Sequence, residues 1–152
     1  MLKHLLAGAC LAAVATLAAA QSAGLRSIDV PYHGGTMEAT VWYPTAAPEA
    51  AAAFGPFNVH AAVGAPPAAG RFPLVLVSHG TGGNRLGHHP LAEALARAGF
   101  IVAAPTHPGD NYRDRSLIAD PRYWYERPRQ VTRLLDALLA DPAWKDRSAS
   151  TV

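Results

Sequence analysis

The residues best equipped for chemistry gather in one stretch, Ser78-His79-Gly80-Thr81-Gly82-Gly83, directly behind the apolar run Phe72-Pro-Leu-Val-Leu-Val77. Glycines at 80, 82 and 83 let the backbone turn so that amides such as that of Thr81 converge on one point. Two N–H groups aimed at one point stabilise the oxyanion of a tetrahedral acyl-transfer intermediate. A plain strand-to-helix turn is the other reading of the same glycines. A phosphate cradle fits less well, because no Lys-Ser/Thr follows them and the spacing is not G-x-G-x-x-G.

Other reactive side chains lie nearby in sequence. Ser78 beside His79 suggests a nucleophile and its base, but neighbours on a strand point to opposite faces, so direct contact between them is poor geometry. His79, His88, His89 and His107 with Asp110 carry donors that suit zinc, yet their spacing matches no metal motif and only folding could gather them. No metal is therefore expected. Tyr112, Tyr123, Trp124 and Tyr125 either line a substrate mouth or cover an open sheet face; both readings stand.

The surrounding elements must hold this loop. The run Phe72–Val77 lacks alternation, as in a strand buried on both faces of a parallel sheet. Pro90 suits a first helical turn, Leu91, Leu95 and Ala98 recur at helical spacing, and Gly99 offers a left-handed C-cap. Phe100–Ala104, closed by Pro105, is a second buried strand, and the whole is a βαβ unit. Upstream, 26–30 and 37–44 read as strands joined by a turn at His33-Gly34-Gly35. Residues 45–71, rich in Ala, Pro and Gly, read as a long surface loop. Downstream, Pro128 opens a helix whose Val131, Leu134, Leu135, Leu138 and Leu139 form a core-facing stripe, and Asp141-Pro142 ends it.

Composition narrows the function. Of 152 residues, 50% are apolar and 16% charged, with thirteen Lys+Arg against eleven Asp+Glu for a net charge of +2. That is one modest domain, not a disordered chain and not a nucleic-acid binder driven by phosphate neutralisation. The arginines between 113 and 133 alternate with Asp114, Asp120 and Glu126 and read as a solvated face.

The stretch PLVLVSHGTGGNRLGHHPLAEALARAGFIVAAPTHPGDN, from Pro73 to Asn111, resembles the α/β-hydrolase superfamily, and within it the dienelactone-hydrolase-like and platelet-activating-factor-acetylhydrolase-like serine esterases. TVWYP at Thr40–Pro44 and ERPRQV at Glu126–Val131 add to the likeness, which spans roughly 27–147. The resemblance implies an α/β fold of three layers with a mostly parallel sheet. It implies hydrolysis of a small-molecule carboxylic ester without a cofactor, the Thr81 backbone amide as an oxyanion donor and His79 as a residue shaping that loop. In such a family the nucleophile lies on a G-x-S-x-G elbow after the Val131–Leu139 helix. No G-x-S-x-G occurs in these 152 residues, and Ser148 and Ser150 lack elbow glycines. The expectation is thus the N-terminal half of the fold, truncated and inactive alone. The alternative is a noncatalytic exported fragment whose open sheet edge docks onto a partner, including a separately encoded second half or another copy.

Residues 1–20, MLKHLLAGACLAAVATLAAA, place Lys3 and His4 before an apolar run that ends in Ala18 and Ala20, the pattern of a cleaved signal peptide. The run is short for a stable membrane span. Secretion or delivery to the periplasm follows, leaving 21–152 as the partial hydrolase domain. The single cysteine, Cys10, sits in the leader and fits a lipid-attachment box poorly, so the mature chain has no thiol chemistry. The intact mass of the exported product is expected to start at Gln21; retention of Met1–Ala20 would overturn the leader assignment.

Overall fold

The computed structural model describes residues 21–149. Nine elements follow in the order β1 (Ser22–Tyr32), β2 (Gly35–Thr45), β3 (Ala50–Phe54), β4 (Phe57–Val63), β5 (Phe72–Leu76), α1 (His89–Arg97), β6 (Ile101–Pro105), α2 (Tyr123–Ala140) and β7 (Ser148–Ala149). The signal-peptide assignment lies outside the described residues.

All strands join one sheet in the order β3-β4-β1-β2-β6-β5-β7. The sheet is mixed: β1·β4, β5·β6 and β5·β7 run parallel, whereas β1·β2, β2·β6 and β3·β4 run antiparallel. The expected hairpin is present but longer than the sequence suggests, pairing Ser22 with Thr45 through Tyr32 with Gly35. His33 and Gly34 both take positive φ, 46° and 75°, as a two-residue hairpin loop requires.

Trp42 shows how the strands build two cores. Period-two alternation sends Val41 and Tyr43 to one face of β2 and Trp42 to the other, and all three are fully buried. The Tyr43 face packs Met37, Ile101 and Ala103 against Leu134 and Leu138 of α2 and against Trp144. The Trp42 face packs Leu25 and Val102 against Ala92 and Ala96 of α1. Helices on opposite faces make three layers.

Three expectations need correction. Residues 45–71 are not one loop, since β3 and β4 form a hairpin that closes with Phe54 opposite Phe57. Alanine, a helix former depleted in strands, hides the pattern, although Phe57-Asn58-Val59-His60-Ala61 does alternate and Gly55-Pro56 marks the turn. In α1 the buried face carries Ala92 and Ala96 while Leu91 is exposed; a helix lying close over Trp42 needs small side chains at the contact. Pro128 is inside α2, which starts at Tyr123. Proline tolerates only a first turn comfortably, which is why the sequence alone places the helix start too late.

After α2, a turn brings Trp144 back under the sheet, fully buried and 5.0 Å from the Tyr43 ring. Trp144→Ala is expected to cost about 3–5 kcal/mol of stability, measured by denaturant unfolding, with a loss under about 1 kcal/mol contradicting its place in the core.

Candidate active site

The loop after β5 is set by its neighbours in the sheet. Parallel pairing of Leu74 with Ile101 through Leu76 with Ala103 brings the C-terminal ends of β5 and β6 side by side. Residues 78–83 therefore meet residues 106–111, the end of a parallel sheet where such folds place ligands. The Val77 amide extends the ladder to the Ala103 carbonyl at 2.9 Å.

His79 ties the two loops together. Its Nε2 accepts the His107 amide at 3.1 Å, so the proton resides on Nδ1, which donates to the Gly80 carbonyl at 2.6 Å. A Cβ on Gly83 would lie 2.9 Å from His79 Nδ1, so position 83 must be glycine for the ring to sit there. Gly82 takes φ +72°, and its amide donates to Asp110 Oδ1 at 2.9 Å. Among the described residues the Thr81 amide donates no hydrogen bond, and Thr81 is exposed. The expected donor thus sits in a held loop with its N–H unspent. Thr81 Oγ1 lies 3.2 Å from the Tyr123 hydroxyl.

Charge enters from α2. Arg127 bonds Asp110 and the His79 carbonyl, and its Nη2 donates to Ser78 Oγ at 2.9 Å. Asp110 is fully buried. Its burial alone raises the carboxyl's pKa, but the Gly82 amide and Arg127 outweigh that and hold it below the ordinary range. Arg127 belongs to the stretch the sequence presents as a solvated face. Arg122, Arg129 and Arg113 do pair at the surface with Asp120, Glu126 and Glu38, while Arg127 turns inward.

Ser78 does contact a histidine, though not its neighbour. Its hydroxyl lies 2.8 Å from His107 Nε2, whose Nδ1 lies 2.7 Å from Gln130 Oε1. Adjacent parallel strand ends make this pair possible, and no sequence spacing announces it. The row Ser78–His107–Gln130 resembles a nucleophile, base and orienting group, yet the chemistry differs. Burial first, then the Arg127 charge, lowers the His107 pKa to about 4, making it a weak base at neutral pH. Gln130 brings no negative charge to stabilise an imidazolium. The row therefore works as a neutral hydrogen-bonded brace between α2 and the sheet.

The remaining candidates scatter. His89 bonds Glu93 at 2.9 Å and stands apart, while the exposed His88 lines a small cleft with His79, and His79, His107 and Asp110 share the loop junction. Among the described residues no group of three or more His, Cys, Asp or Glu is placed to hold a metal. Tyr112, Trp124 and Tyr125 are exposed and do not cover the sheet; Tyr123 reaches the glycine loop through its hydroxyl and Tyr112 through its backbone amide. Ser148 is buried with its hydroxyl on the Trp144 carbonyl. Ser150 lies outside the described residues.

The brace should be sensitive to acid. An unfolded His107 takes up its proton near pH 6.5, whereas the folded one resists until about 4. Between those values the unfolded state binds more protons, so stability falls as pH drops through that window and levels off below it. Thermal unfolding from pH 7 to pH 4 should show a loss of up to about 3 kcal/mol, and His107→Asn should flatten the curve. A slope unchanged in that variant would remove His107 as its source.

With this geometry established, comparison with known proteins places the chain. No curated protein matches it in sequence. Among solved structures it is similar to the ferulic acid esterase from Streptomyces cinnamoneus, with a TM-score of 0.61 and 23% identity over 84% of this chain and 48% of that one. It is also similar to a hypothetical protein from Pseudomonas aeruginosa, with a TM-score of 0.51 and 15% identity over 80% of this chain and 32% of that one. At these identities the likeness is one of fold. The chain spans about half the length of the esterase and a third of the second protein. The profile of the family described as platelet-activating factor acetylhydrolase, isoform II, matches residues 49–130. That match takes in the β3–β4 hairpin, the glycine loop, both strands beside it and the Arg127–Gln130 turn of α2, and on it the chain belongs to the platelet-activating factor acetylhydrolase isoform II family, built on an α/β-hydrolase fold.

Proposed function

We propose that this chain supplies the oxyanion-stabilising portion of a carboxylic-ester hydrolase, with Thr81 offering its backbone amide to the tetrahedral intermediate and His79 fixing the loop that presents it. The observation that carries this reading is the unspent Thr81 N–H in a loop held on both sides, by His79 to the 107 segment and by Asp110 to Gly82. A preorganised donor costs no reorganisation when charge develops, which is where such sites gain most.

The nucleophile comes from outside these residues. The G-x-S-x-G pattern is absent from the sequence, and the Ser78–His107 pair is too weak a base system to replace it. In the proposed reaction a serine attacks the acyl carbon as a histidine takes its proton. The oxyanion rests on the Thr81 amide and on the amide following the serine, and water then releases the acid. No cofactor enters. Further strand could continue beside β5: among the described residues β7 pairs with β5 at Phe72 and Pro73. The same position supports the second reading, a fragment completed by a separate C-terminal half or another copy. Export through the leader is part of the proposal; β1 begins at Ser22, so cleavage after Ala20 would leave the sheet intact.

The test is hydrolysis of p-nitrophenyl acetate by this chain alone and joined to a second half bearing a G-x-S-x-G elbow. The chain alone should match the buffer background, and the joined protein should turn over. Thr81→Pro, which deletes the N–H, should then lower kcat by about 10²–10³, whereas Thr81→Ala keeps the amide and most of the rate. Full activity in Thr81→Pro would end the oxyanion assignment.

A further inference from the structure

A second cleft opens where the chain leaves the glycine loop. It has a volume of about 400 Å³ and is lined by Phe54 and Phe57 from the β3–β4 hairpin, Arg85 and Leu86 after the loop, Glu38 of β2 and Tyr112, among others. Its aromatic walls are fixed. Phe54 and Phe57 face each other across the hairpin end, and Phe57 packs edge-on against His89 at 5.9 Å. Tyr112 is held by its amide on the Gly83 carbonyl at 3.2 Å, so one wall of the cleft is tied to the oxyanion loop itself.

The polar groups in this cleft are unevenly satisfied. Glu38 receives two hydrogen bonds of 3.0 Å from Arg113. Arg85 approaches Glu38 only to 3.6 Å, beyond hydrogen-bond range, and its Nη1 reaches Thr40 Oγ1 at a marginal 3.5 Å. Its Nε, the atom nearest Glu38, is buried without a hydrogen-bond partner. A guanidinium carries five donors, and one left this poorly paired beside apolar walls costs stability unless something accepts from it. Arg113 and Arg85 against Glu38 leave one positive charge over, which matches a single negative charge.

We infer that this cleft is a binding subsite for a monoanionic carboxylate carried on a short apolar or aromatic stem, with Arg85 engaging the carboxylate and Phe54, Phe57 and Leu86 the stem. Resting on the ester-hydrolase reading, it makes the preferred substrate an ester whose acyl or alcohol part ends in such a carboxylate. A planar carboxylate suits the guanidinium fork. A dianionic phosphate would overfill the one spare charge and meet Glu38.

Binding tests the site without any turnover. Titration calorimetry of the purified protein with 3-phenylpropionate should show binding at least ten times tighter than with 3-phenylpropionamide, the neutral isostere. Arg85→Gln should weaken the acid at least tenfold without changing the amide, and Arg85→Lys should recover only part of the loss. Equal affinity for acid and amide in the unaltered protein, or no binding of the acid, would overturn the inference even if the variants failed to fold. Tighter binding of phenyl phosphate than of 3-phenylpropionate would overturn it as well. Failure of ester turnover by the protein joined to an elbow-bearing second half, with binding intact, would sink the hydrolase reading and leave the subsite standing.

Discussion

The buried contact between Arg127 and Asp110 organises the functional end of the molecule. Asp110 is fully buried, and a lone carboxylate there would be costly. Arg127 neutralises it from α2 and also caps the His79 carbonyl and the Ser78 hydroxyl. One cation thus fastens a helix to the ends of β5 and β6. In turn, Asp110 fixes the Gly82 amide, so the glycine loop inherits its shape from an ion pair formed by residues far along the chain. Such a pair contributes less to net stability than to a single geometry of the loop, the property on which the proposed oxyanion role rests.

A neutral polar layer lies beneath that charge. His79 and His107 sit with ring centroids 4.7 Å apart, both buried and both with lowered pKa, first because of burial. Protonating either beside Arg127 would place like charges together in a poorly solvated region. Each ring instead spends its nitrogens on fixed partners: the Gly80 carbonyl and His107 amide for His79, Gln130 and Ser78 for His107. The histidines act here as rigid, uncharged spacers, and the reactive appearance of Ser78 beside His107 does not survive this electrostatic setting.

Apolar packing supplies the frame for this arrangement. Trp42 and Tyr43 commit adjacent positions of β2 to opposite cores, and each core takes one helix. The helix over Trp42 is lined with alanine and can lie close, which brings His89 to Phe57 and so positions the β3–β4 hairpin over the exit of the glycine loop. The cleft with Arg85 is a product of that docking, since its walls come from β2, the hairpin and two loops.

By itself the sequence determined the βαβ unit, the first hairpin, the Leu134 and Leu138 face of α2, though Leu139 of the expected stripe is exposed, and the glycine-rich turn after β5. These are local: continuous apolar runs, 3.6-residue spacing and glycine-rich turns act within a few residues of themselves. It obscured β3 and β4 because alanine favours helix and is a poor strand signal, and it misplaced the buried stripe of α1 because Leu91 and Leu95 outweigh alanine in any reading by hydrophobicity. Only the tertiary structure decided that Arg127 turns inward, that Ser78 meets His107 and not His79, that Gln130 orients that ring, and that Arg85 is left short of partners. Those contacts join residues separated by 17 to 49 positions, and nothing in either local sequence specifies the other. They arise because parallel strands bring distant loops to one end of the sheet, where burial forces every polar group to find whichever partner the fold has put there.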